Sequence, residues 1–204
     1  MMFIRNWPIG LSYDLLTGLD PQNATSEQLP WTLILHNKEY PKEYLLKLTS
    51  MEMVWDHWLQ QVKEACYMRD GNAKAIMNLS KEDTTTLLKS AENHRFEDFW
   101  GITDRLLAPS NLNIKYVPIK VYLPMSNRPL QTLVKPTTDS GDPNTVGGAL
   151  NEYLPDLFPS KRRNIIARPI LHGCVVPMTA PLGELLFEAM YIDGFLHITI
   201  VLMS

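Results

Sequence analysis

The side chains best suited to nucleophilic, acid–base or metal chemistry are few and scattered. Two cysteines, Cys66 and Cys174, and five histidines, His36, His57, His94, His172 and His197, occur in 204 residues. A metal site needs ligands a few residues apart, in patterns such as Cys-x-x-Cys or His-Glu-x-x-His, and neither spacing occurs. The chain also lacks a glycine-rich phosphate loop and the Gly-x-Ser-x-Gly turn that presents a serine nucleophile. Cys66 falls on the edge of an apolar helical stripe and Cys174 lies beside Val175-Val176, so both read as buried, inert thiols. His197 alternates within an apolar strand and reads as a packed or hydrogen-bonded residue rather than a base. No catalytic group, metal or cofactor is expected from these residues.

Charge narrows the classes further. Lysine and arginine total 19 against 22 aspartates and glutamates, a net charge of −3. Nucleic-acid binding calls for clustered cations, and the only basic run, Lys161-Arg162-Arg163, is short and reads as a solvated loop beside Pro159. Two cysteines make no disulfide framework, which fits a reducing compartment. The opening Met1-Met2-Phe3-Ile4-Arg5-Asn6-Trp7 lacks the apolar core of a signal peptide, and no run approaches the roughly 18 apolar residues of a membrane span. A cytoplasmic protein is expected, and Asn23-Ala24-Thr25 is read as an unmodified loop.

The stretch from Ser50 to Met77 has to position everything else. Met51, Val54, Trp55, Trp58, Leu59, Val62, Ala65 and Cys66 share a helical face of about 140°, the width of a helix buried along one side, and Lys63 sits just outside it. Before it, Pro8 to Gly18 reads as a helix and Trp31 to His36 as a strand, too little to make a domain because a lone strand leaves its backbone unpaired. After it, Ser80 and Asp83 resemble a capping box. A third helical segment then carries Phe96, Phe99, Trp100, Thr103, Leu106 and Leu107, read as a helix-packing core, and Pro109 closes the helical block. From residue 114 the period changes. Two short strands, Ile114–Leu123 and Leu130–Val134, form a hairpin. A helix from Val146 to near Pro159, a strand over Asn164–Leu171, a short helix opened by Pro181 and a final strand Phe195–Val201 follow. That order is the β-grasp, whose last strand pairs beside the first and is buried on both faces. The fold class is therefore α+β: a β-grasp domain, a helix-rich region and the remnant of a second such domain. The chain is expected not to be a conjugated modifier itself, because it runs from the last strand straight into Leu202-Met203-Ser204 without the slim glycine tail that activating enzymes require.

Several collinear runs resemble the autophagy protein 5 family: Trp7-Pro8-Ile9-Gly10-Leu11, Leu29-Pro30-Trp31, Arg95-Phe96-Glu97-Asp98-Phe99-Trp100, Tyr116-Val117-Pro118-Ile119, Asn127-Arg128-Pro129, Leu171-His172-Gly173, Thr179-Ala180-Pro181-Leu182 and Phe195 to Ile200. The resemblance implies a remnant of the first ubiquitin-like domain over 1–48, a helix-rich region over 49–110 and a second ubiquitin-like domain over 112–204. It also implies an N-terminally shortened form, with Leu33 and Leu35 losing cover and contact with autophagy protein 16 weakened. By the same resemblance the function is that of a non-catalytic acceptor and scaffold. Autophagy conjugating enzymes would join it to the ubiquitin-like autophagy protein 12. With autophagy protein 16, the conjugate would form an E3-like complex, peripheral to the phagophore membrane, that promotes lipidation of autophagy protein 8 modifiers. The family's acceptor lysine lies in a Lys-Glu-Ala run, here Lys63-Glu64-Ala65, which assigns the isopeptide to Lys63 and leaves Lys74 and Lys81 as ordinary surface lysines. The alternative is a ubiquitin-like interaction module that receives no modifier and is inactive or competes in the pathway.

Overall fold

Proline and glycine bracket the first helix. In the computed structural model, which describes residues 7–18, 30–34, 45–107, 114–126 and 128–203, α1 runs over Ile9–Thr17 from Pro8 to a left-handed Gly18 at φ 58°. The expected strand over Trp31–His36 is not formed in its described part. Residues 31–34 carry no ladder, Leu33 and Ile34 are 50% and 71% exposed, and Leu35 and His36 lie outside the described residues. Apolar and β-branched side chains favour a strand only where a neighbour takes up the backbone groups, and none among the described residues does so here.

Helix α2, Met51–Asp70, starts where the Ser50 hydroxyl accepts from the Met53 N–H and stops at Gly71, left-handed at φ 75°. A single turn, α3 (Lys74–Met77), leads to α4 (Lys81–Glu92), whose first turn is capped by Ser80 accepting from the Asp83 N–H at 2.9 Å. Asp83 also pairs with Arg105 of α5 (Phe96–Leu107) at 2.7 Å, and that hydrogen bond holds its carboxyl below the usual range. Trp58, Val62 and Cys66 of α2 pack with Ile76, Leu87, Ile102 and Leu106 in one core.

The remaining elements are β1 (Val117–Tyr122), β2 (Leu130–Val134), α6 (Val146–Tyr153), β3 (Ala167–Leu171), β4 (Cys174–Val175), α7 (Leu182–Ala189) and β5 (Leu196–Leu202). They make a five-stranded sheet in the order β2-β1-β5-β3-β4, with β5 parallel to β1 and antiparallel to β3. This is the expected β-grasp with its last strand in the middle, and a core of Val117, Ile119, Val121, Leu196, Ile198 and Ile200 lies under α6 and α7. β4 was not anticipated. Its two residues follow His172 and Gly173, both left-handed at φ 51° and 75°, the backbone of a two-residue type I′ hairpin. Because β4 is an edge, Cys174 is exposed, contrary to the buried thiol expected, whereas Cys66 is buried as expected. Pro169 is accommodated in β3 because its carbonyl accepts from Val176 just past the end of β4, on the side where its missing N–H matters least.

The opposite face of the sheet holds the molecule together. Leu11 and Leu15 of α1 pack against Tyr122, with Trp7 edge-on to the same ring at 4.8 Å. Beside them, Ala65 and Met68 of α2 cover Phe195. Helix α2 is thus buried on two sides, by the helical core and by the sheet. Apolar periodicity revealed only the first, because the second uses Gln61 and Glu64 as well as Ala65 and Met68.

Candidate functional site

Lys63 lies on the solvent side of the α2 face that packs the helical core, half-exposed on a twenty-residue helix. Among the described residues it forms no ion pair. Lys74 and Lys81 are exposed, on the short α3 and at the start of α4.

The two residues after Lys63 anchor it. Glu64 accepts from the Gln131 side chain of β2 at 2.8 Å, and Ala65 is buried against the turn between α7 and β5. In that turn Gly194 stands at φ 84°, and a Cβ placed there would lie 3.0 Å from the Ala65 methyl. Only glycine meets both demands. Gly194→Ala is expected to cost about 1–2 kcal/mol from the left-handed backbone, with more from displacing α2, read as a lower urea midpoint.

Beneath the turn is a polar network. The Tyr122 hydroxyl meets His197 Nδ1 at 2.7 Å, and His197 Nε2 meets Asp193 Oδ2 at 2.9 Å. Asp193 Oδ1 also accepts the Phe195 N–H at 3.1 Å. The carboxylate can only accept, so Nε2 carries the hydrogen, and in the neutral ring Nδ1 accepts from the tyrosine. His197 is therefore the hydrogen-bonded residue expected and no free base. Lys120 of β1 lies 3.7 Å over the Phe195 ring and donates to Gln61 of α2. Burial lowers its amine, with Asp193 and Glu64 partly opposing. The alternation of β1 could have flagged this residue, since Lys120 and Tyr122 face away from Ile119 and Val121; the assembled cluster drew on segments too distant to combine.

Burial also raises two phenols. Tyr122 is pushed far up, and Tyr191, stacked on His172 at 4.1 Å, is pushed from 10.0 to about 12. In the unfolded chain these protons leave near pH 10, while the folded protein retains that of Tyr191 until about pH 12. The folded state therefore binds more protons between those values, and stability falls as pH rises through the window. Lys120 acts in the opposite direction at lower pH, its part complete by 10.5. Urea midpoints should drop across the tyrosine window, and less steeply in Tyr191→Phe.

Next to this face, Trp58, Val62 and Cys66 of α2, Phe99 and Trp100 of α5 and Ile192 of the turn line an apolar cavity of about 190 Å³. The aromatic run of α5 departs from the core expected of it. Phe96 is exposed and Phe99 and Trp100 are half-buried, stacking edge-on at the cavity's lip while Thr103, Leu106 and Leu107 fill the core. The Trp58 indole N–H is buried there without a partner among the described residues. Burial pushes the Cys66 thiol up despite Arg69, which disfavours its thiolate. The walls of the cavity are largely apolar, as the core of a protein–protein interface is.

Two family models match this chain: "Autophagy protein ATG5, alpha-helical bundle region" over residues 51–109 and "Autophagy protein ATG5, UblB domain" over residues 116–200. The autophagy protein 5 of Yarrowia lipolytica is 44% identical, over 98% of this chain and 80% of that protein. That of Phaeosphaeria nodorum is 37% identical, over 98% and 73%. The crystal structure of Kluyveromyces marxianus Atg5 superposes with a TM-score of 0.70 at 25% identity, covering 95% of this chain and 67% of that one. With relatives this similar along nearly its whole length, the chain belongs to the autophagy protein 5 family and has a role in autophagy.

Proposed function

We propose that this protein is a non-catalytic acceptor and scaffold, joined through Lys63 to the ubiquitin-like autophagy protein 12. Isopeptide formation needs an amine that a conjugating enzyme can reach and that attacks a thioester carbonyl. The thiol of the enzyme leaves and the amine proton is lost to solvent or to the enzyme. The observation that carries the assignment is the half-exposed Lys63 on α2, without an ion pair among the described residues, within the Lys63-Glu64-Ala65 run. The apolar cavity between α2, α5 and the Ile192 turn supports a scaffold role, with autophagy protein 16 as its partner. In this reading the conjugate forms an E3-like complex, peripheral at the phagophore membrane, that promotes lipidation of autophagy protein 8 modifiers. The domain division is residues 1–48, 49–110 and 112–204. The test is reconstitution with autophagy protein 12 and its conjugating enzymes. A slower-migrating adduct is expected, and its absence would leave the alternative of an interaction module that receives no modifier.

A further inference from the structure

We propose that the cavity between α2, α5 and the Ile192 turn binds a small, uncharged aryl carbonyl compound through the Trp58 indole N–H. Trp58 is 8% exposed and stands in the cavity wall, and its Nε1 is the one buried side-chain donor among the described residues without a partner. The cation in the same wall is engaged. Arg69 Nη2 donates to the Asp70 carboxylate and to the Leu106 carbonyl at 2.9 Å each, and meets Cys66 Sγ at 3.7 Å. The indole nitrogen can only donate, and a buried donor left unpaired is destabilising, so the cavity favours a guest that brings an acceptor.

The walls select the rest of the ligand. The cavity holds about 190 Å³, and an apolar cavity of about 150 Å³ takes benzene, so there is room for one ring with a short substituent. Trp58, Phe99 and Trp100 line it, and aromatic side chains pack an aromatic guest edge-on or offset. A charged guest would give up its hydration for no opposite charge, because Arg69 already has its partners. A wholly apolar guest would leave the indole N–H unpaired. One ring carrying one carbonyl meets each condition. Entry is at the α5 lip, where Phe96 is 70% exposed and Phe99 and Trp100 are half-buried. A ring seated there touches α2, α5 and the turn before β5 together, and so ties the acceptor helix to the β-grasp domain.

The proposal goes beyond the acceptor reading and is measured on the unconjugated chain, so its failure leaves Lys63 and the partner contact to their own tests. Acetophenone is the probe. Its control is α-methylstyrene, which keeps the shape but puts a methylene where the carbonyl oxygen was. With the indole resonances of the five tryptophans assigned by NMR, acetophenone should move that of Trp58 downfield and saturably, and α-methylstyrene should not. In Trp58→Phe, the affinity for acetophenone relative to α-methylstyrene, read from the methyl resonances of Val62 and Leu87, should fall about tenfold. If Trp58→Phe fails to fold, the wild-type indole shift decides alone. Absence of saturable acetophenone binding to the wild-type chain overturns the proposal. So does binding that leaves the Trp58 resonance unmoved, or an affinity ratio unchanged in Trp58→Phe.

Discussion

Lys63→Arg is expected to eliminate the covalent adduct with autophagy protein 12 while leaving the fold unchanged. Arginine keeps the positive charge and the long apolar stem, and its helix propensity matches that of lysine, so α2 should not notice the exchange. Its guanidinium stays protonated far above neutral pH and does not attack a thioester, so the loss is complete rather than partial. Lys74→Arg and Lys81→Arg should conjugate at the wild-type rate. Those lysines stand on the α3 turn and at the start of α4, whereas Lys63 is held by neighbours bonded to Gln131 and packed on Gly194. Gel mobility after reconstitution gives the first readout, and mass spectrometry of the branched peptide gives the position. An adduct that persists in Lys63→Arg sinks the assignment, and one that also disappears in Lys74→Arg shows that Lys63 alone does not suffice for conjugation.

What the sequence made legible follows from how locally each feature is determined. Ser50, Ser80, Gly18 and Gly71 act within one helical turn, and each begins or ends a helix as its residue type dictates. The central place of β5 was readable because a strand buried on both faces must be almost continuously apolar, with His197 and Thr199 the exceptions. The strand expected at Trp31–His36 misled over its described residues 31–34 for the converse reason: strand propensity is realised only with a partner. β4 is two residues long and depends on the left-handed His172-Gly173 pair, which leaves almost no period to detect. At the site, the second buried side of α2 was hidden because only Ala65 and Met68 are apolar there, flanked by the half-buried Gln61 and the exposed Glu64, polar side chains whose partners Lys120 and Gln131 come from strands about sixty residues away. Lys63 itself was marked by the resemblance and only located by the periodicity.

His197→Ala is expected to be the most destabilising single change in the polar network, at about 3–5 kcal/mol, a large share of the 5–15 kcal/mol that holds a domain folded. The imidazole joins β1 to the turn before β5; its own side chain is buried at 5% exposed and that of Asp193 is largely covered at 14%. Removing it strands the Tyr122 hydroxyl and most of the Asp193 carboxylate's hydrogen bonding, and it leaves a void where the ring stacked on Tyr122 and met Tyr191 edge-on. Tyr122→Phe should cost about 1–2 kcal/mol, because it leaves a single ring nitrogen unsatisfied. In the double variant the two costs should not add, since the hydroxyl that His197→Ala would strand is already gone. The effect should spread along a definite route. Asp193 releases the Phe195 N–H, the turn loses its hold on Gly194, and Gly194 no longer braces Ala65. Hydrogen exchange should therefore accelerate in β5 and on the sheet-facing side of α2. The half of α2 packed on Leu87 and Ile102 stays protected, and Lys63 should still accept its modifier. A cost below that of Tyr122→Phe, or exchange confined to the 191–194 turn, would show that the network does not couple the sheet to the acceptor helix.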